Sequence, residues 1–193
     1  MRTVINYPVW WSKEKIPQDV CEEIIRIGKE LNLEEGTVVG TAGQHKRKDP
    51  TYRETNIAWF EKGHTLDSLI QSYVGLANLE AKWNFTITGM ERIQFGEYKR
   101  KGFYDSHRDT ITNVKLPNRK LSVSVNLSNP KDYEGGDLII KNYYGTRELK
   151  LVENLRPQGT VVVFPSILQH KVTPVKRGTR YSLVQWYNGP EFT

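Results

Sequence analysis

From residue 85 onward the chain is a succession of short extended segments, FTITGMERIQFGEY, LSVSVNLS, GGDLIIKN, RELKLV, GTVVVFP and RYSLVQWY, separated by glycine, proline and asparagine. Runs rich in β-branched and aromatic residues between turn formers read as strands. No helical pattern follows each strand, so a doubly wound parallel sheet is excluded. What remains is a sandwich or a jelly roll. Upstream, Val20, Ile24, Ile25, Ile27 and Leu31 within residues 14–32 share a helical face, with Pro17 suited to the first turn. Leu66, Leu69, Ile70, Tyr73, Val74 and Leu76 within residues 65–83 do the same. Between them, TVVGT at 37–41 reads as a strand, followed by an exposed loop. The expectation is one mainly β domain over residues 1–193, with helical support to about residue 84 and a jelly-roll core over about 85–193.

Composition narrows the function classes. The single cysteine, Cys21, cannot close an intrachain disulfide, and MRTVINYPVWW lacks the apolar run of a signal peptide. A reducing, cytoplasmic setting is expected. No run approaches the roughly 18 apolar residues of a membrane span, and the mean hydropathy is -0.60. Net charge is +6 with a pI near 9.3, which suits an acidic partner. The basic residues are scattered, however, and the clusters HKRK at 45–48 and YKRK at 98–101 read as solvated loops, so nucleic acid is not favoured.

The chemistry concentrates in FYDSHRDT, residues 103–110. On an extended segment His107 and Asp109 project from one face. An imidazole nitrogen and a carboxylate oxygen aimed at one point are two-thirds of the facial triad that holds non-haem Fe(II). His170, after the strand GTVVVFPS, is the candidate third ligand. Ten residues on, Arg180 shares a strand face with Ser182 and Val184. An inward arginine is costly unless it meets an anion, and a ligand carboxylate would satisfy it, with Ser182 adding a hydrogen bond. Pairing with Asp105, Asp137 or a glutamate, or an outward orientation, is the competing reading. His45 and His64 read as surface histidines, and Cys21 as a small packing residue.

Taken together, H-x-D, a histidine about 60 residues later and R-x-S ten beyond it resemble the Fe(II)/2-oxoglutarate dioxygenases of the prolyl-hydroxylase branch over residues 90–186. Within that branch, RKLSVSVNLSNPKDYEGGDLII at 119–140 is most similar to the PKHD-type hydroxylases, which carry a near-identical N-L-S followed by Y-E-G-G. The resemblance implies a double-stranded β-helix (jelly-roll, cupin-like) core. It assigns His107, Asp109 and His170 as iron ligands and Arg180 as partner of the distal carboxylate of 2-oxoglutarate. Tyr98, Asn126 and Ser182 match positions lining the cosubstrate pocket, although Asn126 stands where some relatives carry tyrosine. Trp186 reads as a core residue, and Gly135 and Gly136 as positive-φ turn positions.

The implied activity is oxidative decarboxylation of 2-oxoglutarate to succinate, coupled to hydroxylation of a prolyl residue by dioxygen, with Fe(II), 2-oxoglutarate and ascorbate as cofactors. Two rival readings are a nucleic-acid demethylase using the same iron chemistry and a non-catalytic jelly-roll binding module. The demethylase pattern usually has an arginine six positions after the anchoring one, where this chain has Trp186. The loop at 43–56 and the insertion at 110–120 should flank the mouth of the barrel, with Arg53, Trp59, Arg100 and Lys115 making a basic, aromatic rim suited to a proline-containing peptide.

Overall fold

The computed structural model describes residues 7–37, 48–110 and 118–190. In chain order the elements are β1 (Trp10–Trp11), α1 (Gln18–Glu30), β2 (Glu34–Glu35), β3 (Arg53–Glu54), β4 (Asn56–Trp59), α2 (Thr65–Glu80), β5 (Gly89–Met90), β6 (Gln94–Tyr98) and β7 (Phe103–His107). They continue as β8 (Arg119–Asn126), β9 (Glu134–Gly135), β10 (Leu138–Ile140), α3 (Val152–Leu155), β11 (Val161–Pro165), β12 (His170–Val172), β13 (Val175–Arg177) and β14 (Arg180–Asn188).

Strict alternation along β8 and β14 sets the architecture. On β8, Leu121, Val123 and Val125 join the main core, as do Leu183 and Tyr187 on β14. The residues between them, Ser122, Ser124 and Asn126 on β8 and Arg180 and Ser182 on β14, are buried polar side chains on the opposite face. The apolar face is covered by α1 through Cys21 and Ile24, and by α2 through Leu66, Ile70, Val74 and Ala77. The approach of α1 is tight: a Cβ on Gly28 would lie 2.5 Å from the Phe95 ring. The polar face looks into the barrel. Burying this much polar surface requires partners for it: Ser122 and Asn126 find theirs within the protein, whereas Arg180 Nη1 does not.

The large antiparallel sheet runs β1-β11-β8-β14-β6-β4-β2, with β5 also on β14, and faces a smaller sheet, β10-β12-β7-β3. A short β13-β9 pair closes one end, where Gly135 and Gly136 have φ of 73° and 64°, as expected of a turn reserved for glycine. A second cluster, Ile140, Leu155, Phe164 and Leu168, fills the space beside the small sheet.

Three local readings change. RELKLV is not a strand: only Glu148 bridges to Lys141, after which the chain turns so that Leu149 and Leu151 pack on the second cluster ahead of α3. The stretch before α2 is not purely loop, because β3 and β4 each add to a sheet, while most of TVVGT lies outside the described residues. His64 is half-buried and caps α2, its Nδ1 accepting from the Leu66 amide at 3.2 Å. Cys21 packs in the core, fully buried. No helix among the described residues is long and apolar enough to cross a membrane.

Candidate active site

The two sheets present three side chains to one point. His107 ends β7 opposite His170, which opens β12, while Tyr104 lies opposite Val172. Three steps on β7 thus match two on β12, a bulge that re-aims the end of the strand. Asp109 lies just past the strand, where its amide and that of Thr110 both donate to the Ser166 carbonyl at 3.0 and 3.1 Å. Asp109 Oδ1 lies 3.6 Å from His107 Nε2, and Oδ2 lies 3.4 Å from His170 Nε2. One ligand atom from each falls within 4.8 Å of the others.

Protons are absent from the meeting point for a structural reason. His107 Nδ1 donates to the Asp105 carbonyl at 2.7 Å, and His170 Nδ1 donates to Leu168 at 3.0 Å. A carbonyl only accepts, so each Nδ1 carries a proton, and in the neutral ring that tautomer turns the Nε2 lone pair inward. Burial, reinforced by the neighbouring His170, pushes His107 down to about 3, which keeps the ring neutral. Burial alone would raise Asp109. Any positive charge carried by His170 and His107, with Arg119 and the Ser122 hydroxyl, outweighs it and holds the carboxyl well below its usual range, ionised. Ser122 Oγ donates to Asp109 Oδ2 at 2.7 Å and contacts Ser166 Oγ at 2.9 Å. Two unprotonated nitrogens and a carboxylate gathered this closely call for a cation. The donor set and its outer hydrogen bonds fit Fe(II).

Beside this trio the inward face of β14, namely Arg180, Ser182, Val184 and Trp186, lines the same cavity, with Gln94 and Tyr98 from β6. Arg180 is 3% exposed and its Nη1 is buried without a hydrogen-bond partner. Among the described residues no carboxylate lies within ion-pair distance of it: Asp137 is taken by Arg156. The inward orientation and the absence of a protein anion fit a ligand carboxylate. Tyr98 sits directly across the ladder, with the guanidinium 5.4 Å from its ring. A Cβ on Gly96 would lie 3.2 Å from Ser182 Oγ, so that position leaves the serine room.

Asn126 is tied down by bonds of its own, in a cavity that shares Arg180 and Ser124 with that of the trio. Its amide donates to the carbonyls of Ser128 and Arg156 and accepts from Tyr133 at 3.4 Å, and it lines a neighbouring cavity without the trio. With those bonds made, it ties β8 to the segments that carry Ser128 and Arg156. Trp186 is buried as expected, yet it lines the site cavity, its indole Nε1 lacks a partner, and Arg119 covers its ring at 3.9 Å. Arg119 is itself fixed by two 2.6 Å bonds to Glu91.

The rim is only partly where the sequence placed it. Arg53 is buried and lines the cavity, donating to Gln94 at 3.0 Å and lying 4.5 Å over the Tyr104 ring, which stacks on His107 at 3.7 Å. Trp59 packs on Trp186, Arg100 is exposed, and Lys115 lies outside the described residues with most of the insertion that carries it. Sequence reasoning passed over Ser122, Tyr104 and Arg119. The alternating serines of LSVSVN were the available signal for Ser122; the other two depend on neighbours distant in the chain.

The family model described as the 2OG-Fe(II) oxygenase superfamily matches residues 93–188. The PKHD-type hydroxylase PiuC of Pseudomonas aeruginosa is 32% identical over 125 residues, covering 58% of this chain and 53% of that protein. The chain spans about half the length of the curated relatives it matches. A crystal structure of a Pseudomonas putida prolyl-4-hydroxylase superposes with a TM-score of 0.69 at 21% identity, covering 96% of this chain and 95% of that one. The prolyl hydroxylase of Trichoplax adhaerens, solved with a hypoxia inducible factor peptide fragment, gives 0.71 at 17% identity, covering 95% and 84%. These likenesses identify the fold as a double-stranded β-helix. The matched span, residues 93–188, is thus a 2OG-Fe(II) oxygenase superfamily segment, and it carries His107, Asp109, His170 and Arg180.

Proposed function

We propose that the chain is an Fe(II)- and 2-oxoglutarate-dependent hydroxylase acting on a prolyl residue within a protein or peptide. The observation that carries this reading is the adjacency, in one cavity, of an electron-rich His-Asp-His trio and a buried arginine with an unsatisfied nitrogen. Bound Fe(II) would supply the activation of dioxygen that couples decarboxylation of 2-oxoglutarate to hydroxylation of a C–H bond.

The chain's own residues orient and insulate. Asp105 and Leu168 carbonyls fix the histidine tautomers, and Ser122 holds the Asp109 carboxylate in place. Arg180 offers a fork to the distal carboxylate of 2-oxoglutarate, with Ser182 and Tyr98 beside it. Phe164, Val172 and Val184 make the cavity wall apolar, which limits water around the reacting groups. No acid or base of the chain is required at the substrate carbon. Ascorbate is the reductant expected to keep the iron ferrous.

Protein-bound proline is favoured over free proline by the basic and aromatic surroundings of the cavity, and the peptide complex of the Trichoplax neighbour is consistent with it. The test is incubation with Fe(II), 2-oxoglutarate, ascorbate and either a proline-peptide library or free proline, followed by mass spectrometry for one added oxygen. Hydroxylation of free proline with every peptide untouched would refute the peptidyl assignment. Anaerobic Fe(II) and 2-oxoglutarate should also give a weak visible charge-transfer band, whose absence from folded protein would favour a binding module.

A further inference from the structure

Directly after β10 the chain makes the turn Asn142–Arg147, whose position is set by the active site. Ile140 pairs with His170, and the Lys141 amide donates to the Gln169 carbonyl at 2.8 Å. A Cβ on Gly145 would lie 2.9 Å from Gln169 Oε1 and 3.9 Å from Arg108 Nη2. Gln169 precedes one metal-site histidine, and Arg108 separates the other from Asp109. The turn therefore lies at the end of the small sheet that carries both metal-site histidines.

It is also stiff. Asn142 Oδ1 accepts from the amides of Thr146 and Arg147 at 2.9 and 3.2 Å, and its backbone bonds to Gly145 and Arg147, each at 2.8 Å. On this frame stand Tyr143 and Tyr144, 51% and 81% exposed, with rings edge to face at 5.7 Å. Rigid, exposed tyrosines are the residue type that anchors partners at low entropic cost. Arg108 and Arg147 beside them are exposed, and among the described residues no carboxylate pairs with either. The turn's own acid, Glu148, is neutralised by Lys171 at 2.7 Å. The surface is thus aromatic and uncompensated positive.

We infer that Tyr143 and Tyr144, with Arg108 and Arg147, form a docking surface for the segment of an extended peptide substrate flanking the hydroxylated residue, selecting an acidic side chain there. This rests on the peptidyl reading above. A single-stranded nucleic acid is the other partner for aromatic and basic groups. Rings at 85° to one another do not offer the parallel faces on which successive bases stack, so the peptide is the better fit.

The experiment compares wild type with Tyr143→Ala/Tyr144→Ala on matched proline peptides flanked by Glu, Gln or Lys, reading hydroxylation by mass spectrometry. Succinate release without peptide is followed in parallel. Wild type should prefer Glu over Gln over Lys, and the variant should lose about tenfold in kcat/KM on the Glu peptide, mostly through KM. Peptide-free succinate release should be unchanged, which shows the variant is folded and charged with iron. Tyr143→Phe/Tyr144→Phe should restore wild-type behaviour, and Arg147→Gln should narrow the preference for Glu over Lys. Equal peptide turnover by wild type and the alanine variant overturns the docking surface alone. Failure of wild type to hydroxylate any peptide, with succinate release intact, removes the peptidyl reading and the surface with it. Loss of binding to a labelled single-stranded oligonucleotide that exceeds the loss on peptides would overturn the peptide assignment in favour of nucleic acid.

Discussion

Replacing Arg180 by methionine should move two stabilities in opposite directions. Without 2-oxoglutarate the guanidinium is buried at 3% exposure with Nη1 unsatisfied and, among the described residues, no carboxylate paired with it. Removing an uncompensated buried charge while keeping an apolar stem should leave the free protein at least as stable as wild type. With 2-oxoglutarate the sign reverses. Hydrogen bonds to charged groups contribute about 1.5–3 kcal/mol, so the variant should bind the cosubstrate about tenfold to a hundredfold more weakly. At a ligand concentration about 100 times the wild-type Kd, binding stabilises wild type by about 2.7 kcal/mol; a tenfold loss leaves about 1.4 and a hundredfold loss about 0.4. For a chain of this length 1 kcal/mol corresponds to about 2–4 °C. Thermal melts with redox-inert Mn(II) in the metal site, with and without 2-oxoglutarate, should show a ligand shift of about 5–10 °C for wild type and roughly 1–5 °C for the variant. Metal affinity without 2-oxoglutarate should be preserved. An undiminished ligand shift in the variant would refute the anchoring role, and equal loss of metal binding would point to a disturbed fold.

Ser122→Ala removes the 2.7 Å bond to Asp109 Oδ2 and should weaken metal binding by about 10–100-fold, measured by Mn(II) titration; unchanged affinity would mean the serine does not steer the carboxylate. Burial, with lesser contributions from Glu22 and Asp19, raises the Cys21 thiol to about 11, so thiol reagents at pH 8 should leave the native protein unlabelled and react once it is denatured. Because folding favours the neutral thiol, its contribution to stability is complete below the unfolded value and is lost as pH rises through about 11, which alkaline melts can follow. Gly28→Val would drive a branched side chain into the Phe95 ring, 2.5 Å from the first added carbon, and should destabilise by about 1–3 kcal/mol in denaturant unfolding, with the folded remainder still binding metal.

What the sequence disclosed depended on how far along the chain the governing contacts lie. The alternation of RYSLVQWY was enough to put Arg180 and Ser182 on one strand face, and the structure turns that face toward the cavity. The spacing of His107 and Asp109 also survived, although Asp109 is placed by the Ser166 carbonyl beyond the end of its strand. Arg53 was named for the rim, but its burial in the cavity was not legible, because a two-residue strand has no periodicity to read and it pairs with β7 some fifty positions away. Asn126 was placed at the cosubstrate pocket by the family resemblance alone, and its bonds to the Ser128 and Arg156 carbonyls could not be read, because those segments follow a course that no local pattern reveals. RELKLV carried a strand-like pattern that lost to the packing of Leu149 and Leu151 on the cluster around Ile140.

The pairing of β3 with β7 and of β1 with β11 bears on where such a protein can be cut. The span matching the superfamily begins at residue 93, yet both sheets are edged by strands from before residue 60, and the apolar back of the larger one is upholstered by helices that precede residue 81. A fragment trimmed to the matched span would retain every proposed iron ligand and the arginine anchor. It would also bare Phe95, Leu121, Val123 and Leu183 to water and open the edges of β11, β6 and β7, the conditions under which strands recruit their own kind. Chemistry and foldability therefore have different borders in this chain, and the smallest unit that can be inherited, swapped or grafted whole is set by the wider of the two.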